Sequence, residues 1–291
     1  MGACTGKSKK DSSSYSKSGK SSMITTLVIP TNEKYISEFD LSAPPNNPGP
    51  NRKLLLDFYA NSRHHMPNKL KNLFEAIFAC EELKVTEMDL SYIPLDVNHI
   101  YQLLAVLEYF RNLKEINLSN VGLTSKDLYR LHSKLEMLTQ LEKISISHNN
   151  LESEGGNQME RLLQHTINIK YIDMSSTNLG DIGAINLSRG IINLKYLEVL
   201  ILDNNDICEL GIIEILNTIK KSQTLRHLSL NNNFFTPKAG ALLVNTIGSL
   251  PKLKFLGLKN TNLSFKYFFM ITGKFKDLMV EFVSKDCRYS V

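Results

Sequence analysis

The sequence predicts an α/β solenoid that lays down one short parallel strand and one helix every 28 residues and stacks the units side by side. Three observations predict it. Aliphatic residues recur at a fixed interval, so that Val85, Leu113, Leu141, Ile169, Leu197, Leu225 and Leu253 open seven successive units. The fourth and sixth positions of each unit are apolar, the period-two alternation of a strand with one buried face. The second half of each unit then carries apolar residues at helical spacing. With 291 residues, 42% hydrophobic and 22% charged, the chain can bury one continuous core.

Residues 1–22 read as a disordered Ser/Lys-rich tail. They hold Lys7, Lys9, Lys10, Lys17 and Lys20 against Asp11, so +4 of the net +5 charge lies there and the remainder is nearly neutral. A nucleic-acid binder would place its cations on a structured face, and none concentrate after residue 22, so no nucleic-acid partner is expected. The opening Met-Gly2-Ala-Cys4-Thr-Gly resembles an acylation signal, with Gly2 as myristate acceptor and Cys4 as a palmitoylation site. It departs from the usual pattern in having Gly6 where Ser or Thr stands, with Thr5 one place early. One acyl chain binds membranes only reversibly, and a second chain or a basic patch is needed for stable attachment. The tail could supply both, each Lys adding about 1 kcal/mol near an anionic leaflet.

Residues 23–84 read as an N-terminal cap covering the open end of the stack. Within it, residues 24–29 are β-prone, a short apolar piece runs through Ile36, Phe39 and Leu41, and the proline-rich residues 43–50 form a loop. A helix is expected over 52–62. A second follows Pro67, with Leu70, Leu73, Phe74, Ile77 and Phe78 on one face. His64 and His65 are adjacent, but no second ligand pair has metal-site spacing, and a polar loop is the expected reading.

The seven units fill residues 85–277. Their fourth positions are Met88, Ile116, Ile144, Ile172, Leu200, Leu228 and Leu256, and their sixth are Leu90, Leu118, Ile146, Met174, Leu202, Leu230 and Leu258. Position 9 is Asn149, Asn205 and Asn233, or Thr177 and Thr261, but Ile93 and Val121 in the first two units. Apolar residues at positions 16, 19 and 23, such as Leu128, Leu131 and Leu135 or Ile212, Ile215 and Ile219, form the buried helix stripe. This pattern, L-x-x-L-x-L-x-x-N-x-L in a 28-residue unit, resembles the leucine-rich repeats of the ribonuclease-inhibitor-like class. Similar repeats occur in actin regulators of the CARMIL and tropomodulin kind and in Ran GTPase-activating proteins. The resemblance implies a horseshoe with strands on the concave face and helices on the convex face. It also implies that the position-9 amide bonds backbone at the turn, so the first two turns should be less regular. Residues 278–291 read as a C-terminal cap, with Leu278, Val280 and Phe282 alternating as a strand after a short helix over 265–272.

Positions 3, 5 and 7 of each strand point outward, so the sequence writes down the concave surface. It is acidic at Glu87 and Glu115, small and polar in the middle, and apolar later. Tyr171, Val199, Ile201 and Phe255, with His227 in the same row and Asp173 and Asp203 beside it, form the expected partner site for another protein. In the best-defined repeat only Lys143, Ser145, Ser147 and His148 are expected to face a partner.

No G-x-S-x-G, H-E-x-x-H, G-x-G-x-x-G or complete phosphate loop occurs, and no nucleophile is arranged beside His148 or His227. The expected protein is therefore not an enzyme and uses no cofactor, metal or small-molecule substrate. Cys4, Cys80, Cys208 and Cys287 are far apart, without C-x-x-C spacing, and read as reduced thiols. With no 18-residue apolar run and no secretory h-region, a cytoplasmic address is expected, peripheral on the inner face of the plasma membrane. The leading functional expectation is an acyl-tethered interaction scaffold. The alternatives are a regulator of a small GTPase or of actin, and a structural component of a cytoskeletal or ciliary assembly.

Overall fold

A computed structural model describes residues 50–79 and 85–283. The expected acylation at Gly2 and Cys4, the β-prone residues 24–29, the apolar piece at 36–41, Cys80 and Cys287 lie outside the described residues. Among the described residues two helices lead: α1 (Pro50–Ser62) and α2 (Asn68–Ala79). Pro50 belongs to the helix and not to the preceding loop, since its fixed φ suits a first helical turn. A 3-10 turn, Arg63–His65, joins them, and His64 and His65 are exposed there.

Strand and helix then alternate: β1 (Glu87–Asp89), α3 (Val97–Leu107), β2 (Glu115–Asn117), α4 (Ser125–Leu135), β3 (Lys143–Ser145), α5 (Glu152–His165), β4 (Tyr171–Asp173), α6 (Gly180–Ile191), β5 (Val199–Ile201) and α7 (Glu209–Ile219). The series ends with β6 (His227–Ser229), α8 (Pro237–Ile247), β7 (Phe255–Lys259), α9 (Phe265–Lys274) and β8 (Met279–Val283). The strands make one parallel sheet of eight in sequence order, in unbroken register: Glu87, Glu115, Lys143, Tyr171, Val199, His227, Phe255 and Met279 are successive partners. Parallel strands need a crossover, and each helix supplies it, packing one layer against the sheet. The first, fourth and sixth residues of the units meet the helix stripes in one apolar core. At the N-terminal end Tyr59 stacks on Phe74 at 5.2 Å, closing the core under α1.

One backbone feature is common to all seven turns after the strands. The eighth residue of every unit (Tyr92, Asn120, His148, Ser176, Asn204, Asn232, Asn260) has φ between 53° and 62°. At that position the first two turns match the rest, although Ile93 and Val121 offer no amide. The reason is that the position-9 amide serves the preceding unit. Asn149 Oδ1 accepts from Val121 N at 3.2 Å and Leu123 N at 2.9 Å, while its Nδ2 donates to Leu118 O and Ile146 O at 2.8 Å. Asn233 does the same for Asn205 and Ile207. In the first unit, Leu95 N donates to Val121 O at 2.8 Å, so backbone replaces the amide.

Caps also reach across units. Thr124 and Asp127 form a capping box on α4. Cys208 precedes helix α7 but its side chain does not cap it, and Asp181 of α6 accepts from Cys208 N at 2.7 Å and Gly211 N at 3.0 Å instead. The carboxylate satisfies orphan donors and sits at the positive end of the helix dipole. Between α5 and α6 the backbones approach so closely that a Cβ on Gly156 would lie 2.1 Å from Gly183 O.

Candidate functional site

The strand-side face is built by the period-two alternation: with positions 4 and 6 in the core, positions 3, 5 and 7 look away from the helices. Position 3 is half-exposed in every unit. Parallel register sets its side chains in one row at roughly 4.8 Å per strand. Along that row the chemistry changes without a gap. Lys143 Nζ lies 3.0 Å from Glu115 Oε2 on one side and 5.1 Å from the Tyr171 ring centroid on the other. Val199 follows, then His227 stacked on Phe255. Met279 of β8 is paired with Phe255 and is 67% exposed, so it prolongs the apolar row by one strand. Its distance from Phe255 is 24 residues, outside the 28-residue phase, which is why the spacing missed it. The alternation of Leu278, Val280 and Phe282 already implied that Met279 faces outward.

Positions 5 and 7 behave differently from the sequence expectation. Ser145 and Ser147 are buried, not free to face a partner, and Ser119 Oγ lies 2.7 Å from Ser145 Oγ and 3.0 Å from Ser147 Oγ. Small hydroxyls bonded across strands fill this part of the surface from within. Asp173 accepts from Ser175 N at 2.9 Å and Ser175 Oγ at 2.7 Å. Asp203 accepts from Asn231 N at 2.8 Å and Asn231 Nδ2 at 2.9 Å, and Asn231 Oδ1 in turn accepts from Lys259 N at 2.6 Å. Lys259 pairs with Glu281. Gly257 is required beneath this network, since a Cβ there would meet Ser229 Oγ at 2.3 Å. Both aspartates thus order the face as well as edging the apolar row. Ile201 sits half-exposed between Asp173 and Ser229 in the position-5 row.

The surroundings tune three groups. Burial, helped by the neighbouring Asp173, raises the Tyr171 pKa, so its hydroxyl stays protonated. Burial lowers the His227 pKa despite Asp203 and Glu281, which favour the charged ring. At the acidic end, burial alone would raise the Asp89 pKa, but bonds from Ser91 and the charge of Lys69 outweigh it and hold the carboxyl low.

The fold is a leucine-rich-repeat solenoid. No family model and no curated protein sequence matches the chain. Among solved structures it is similar to one described as leiomodin-1 actin-binding site 2, at 15% identity over 63% of this chain and 90% of that one, with a TM-score of 0.39. It is also similar to the tropomodulin C-terminal domain of Caenorhabditis elegans, at 16% identity over 53% of this chain and 93% of that one, with a TM-score of 0.43.

Among the described residues no group of three or more His, Cys, Asp or Glu is placed to hold a metal ion, and no helix is long and apolar enough to cross a membrane. The strand face carries an ion pair, a cation lying on an aromatic ring, and a largely apolar row that runs from Tyr171 to Met279.

Proposed function

We propose that the chain is a non-enzymatic interaction scaffold that captures a protein partner on the strand face of its repeats, with the tail of residues 1–22 holding it at the cytoplasmic side of a membrane through acyl groups on Gly2 and Cys4. The observation that carries the scaffold reading is the in-register row Tyr171, Val199, His227 and Phe255, half-exposed on a rigid sheet. Aromatic side chains held in place cost little entropy on binding and are the usual anchors of protein interfaces. Ile201 adds apolar area beside the row, and Asp173 and Asp203 supply a polar rim whose orientation is already fixed by Ser175 and Asn231. The tether reading rests on the sequence of the tail.

Affinity capture of the intact chain from cytosol and membranes, beside Tyr171→Ala/Phe255→Ala and Gly2→Ala variants, tests both parts. The double variant is expected to lose a partner that the intact chain recovers, with its melting temperature nearly unchanged. The Gly2 variant is expected to keep the partner and leave the membrane fraction. Equal recovery by the double variant would remove the strand face as the site. An unmodified Gly2 in mass spectra would remove the tether and leave the scaffold standing.

A further inference from the structure

Among the described residues the two edges of the sheet are unlike. Strand β1 is three residues long, two of them acidic, with Lys69 Nζ 3.8 Å from Asp89. Short charged edges resist pairing with other chains. Strand β8 is five residues long and reads Met-Val-Glu-Phe-Val, and no described strand pairs with its outer side. Met279 N donates to Lys254 O at 3.0 Å and Val283 O accepts from Asn260 N at 2.9 Å, so residues 279, 281 and 283 turn their backbone groups toward β7. By the alternation of a ladder, Val280 and Phe282 turn theirs to the open edge.

Apolar surface continues from that edge onto α9. A Cβ on Gly240 of α8 would touch Tyr267, so Tyr267 faces α8, and Ile271 one turn on is buried. Phe265 and Phe269 are two residues removed from these, about 200° round the helix. They face away from α8, toward the space the next unit of the stack would fill, and are 42% and 65% exposed. Phe282 joins helix to strand, in edge contact with Phe265 at 5.5 Å and stacked with Phe268 at 4.6 Å.

We infer that this end binds a second copy of the chain, by antiparallel pairing of the two β8 strands about a two-fold axis at Glu281. The edge is complementary to itself. An axis at Glu281 sets Val280 opposite Phe282 of the second copy, and the reverse, so the outward N–H and C=O groups of both meet in four backbone hydrogen bonds. It also sets Met279 opposite Val283 of the second copy, both apolar and exposed on the strand face. The Phe265 and Phe269 faces of the two α9 helices flank the joined strands. Two glutamates facing each other would oppose the pairing, but each is neutralised by Lys259 of its own chain. Two-fold pairing uses the β8 edge of both copies, so this contact closes at two.

Sedimentation of the full chain from micromolar to near-millimolar concentration, with amide hydrogen exchange at Val280 and Phe282, tests the inference. The expected result is a concentration-dependent dimer with both amides protected. The Phe269→Glu/Met279→Lys variant should weaken it at least about a hundredfold, with unchanged helical circular dichroism, both changed residues being exposed. A full chain that stays monomeric throughout would overturn the inference. So would a dimer that persists in the variant with the two amides unprotected, which places the contact elsewhere. A dimer formed only when Tyr289 and Val291 are changed to Ser would make residues 284–291 the occupant of the edge, and would overturn it too.

Discussion

The ring of His227 lies on the ring of Phe255, with centroids 4.1 Å apart and planes 13° from parallel. The contact joins β6 to β7 on the strand face. It covers one face of the His227 ring and leaves the side chain half-exposed. Burial lowers the His227 pKa, and the carboxylates of Asp203 and Glu281 do not fully offset it.

Stability should therefore depend on this ring in acid. The folded value lies below the unfolded one, so between the two the unfolded chain binds more protons and stability falls with falling pH. The effect is absent above about pH 6.5, the ordinary histidine value, grows as pH drops toward the folded value and is constant below it. In urea unfolding, His227→Gln is expected to lose less stability than the parent chain across that window. Parallel pH profiles for the two proteins would show that the ring contributes no linkage.

Asn149 holds two units together at once, since its amide bonds Leu118 O and Ile146 O as well as Val121 N and Leu123 N. Replacing it with Ala leaves these four buried backbone groups without the amide, each costing about 1–3 kcal/mol, so a total loss of at least about 4 kcal/mol is expected. Asn149→Thr should cost about half of that, because Thr177 and Thr261 already donate from the same position, to Met174 O and Leu258 O at 2.8 Å. Denaturant unfolding of the two variants gives the comparison, and equal losses would contradict the account.

The close approach of α5 and α6 sets the third expectation. A methyl group on Gly156 would meet backbone, Gly183 O, at 2.1 Å, and backbone cannot move aside as a flexible side chain can. Gly156→Ala should cost at least about 2 kcal/mol by forcing the helices apart. A methyl group on Gly273, in α9, would meet nothing within 4 Å, and Gly273→Ala should gain about 0.5–1 kcal/mol from helix propensity. Thermal melts of the pair would read both signs.

The residues that made the fold legible are those whose role is periodic. Leu141, Ile144 and Ile146 recur every 28 residues because parallel strands stack in register, and the structure buries all three. What the sequence left out depends on neighbours one unit away. Nothing in Val121 tells that Asn149 completes its turn, nor in Cys208 that Asp181 caps its helix. The outward rows were legible as a list and not as surfaces: Ser145 and Ser147 face the right way, yet cross-strand hydroxyl bonds bury them. Met279 escaped the 28-residue spacing because the last crossover is shorter than the period, and only the local alternation around it marks it as outward.

Tyr92 supplies the last expectation. The eighth position of each unit is left-handed, and Asn or Ser fills it in five of seven units: Asn120, Ser176, Asn204, Asn232 and Asn260. Asparagine tolerates that region because its short amide can bond locally, whereas a bulky side chain places Cβ against the following carbonyl at about 1–2 kcal/mol. Tyr92 has φ 62° and is 72% exposed, so its ring recovers little of that cost by burial. Tyr92→Asn should therefore stabilise the chain by about 0.5–1 kcal/mol, seen as a higher melting temperature. A lower one would mean that the ring makes contacts in solution that offset the strain. The same variant then bears on the strand face, because Tyr92 stands at the acidic end of the sheet, just after Ser91. A gain in stability accompanied by weaker partner capture would place Tyr92 on the binding surface, since backbone relaxation alone raises stability without touching capture.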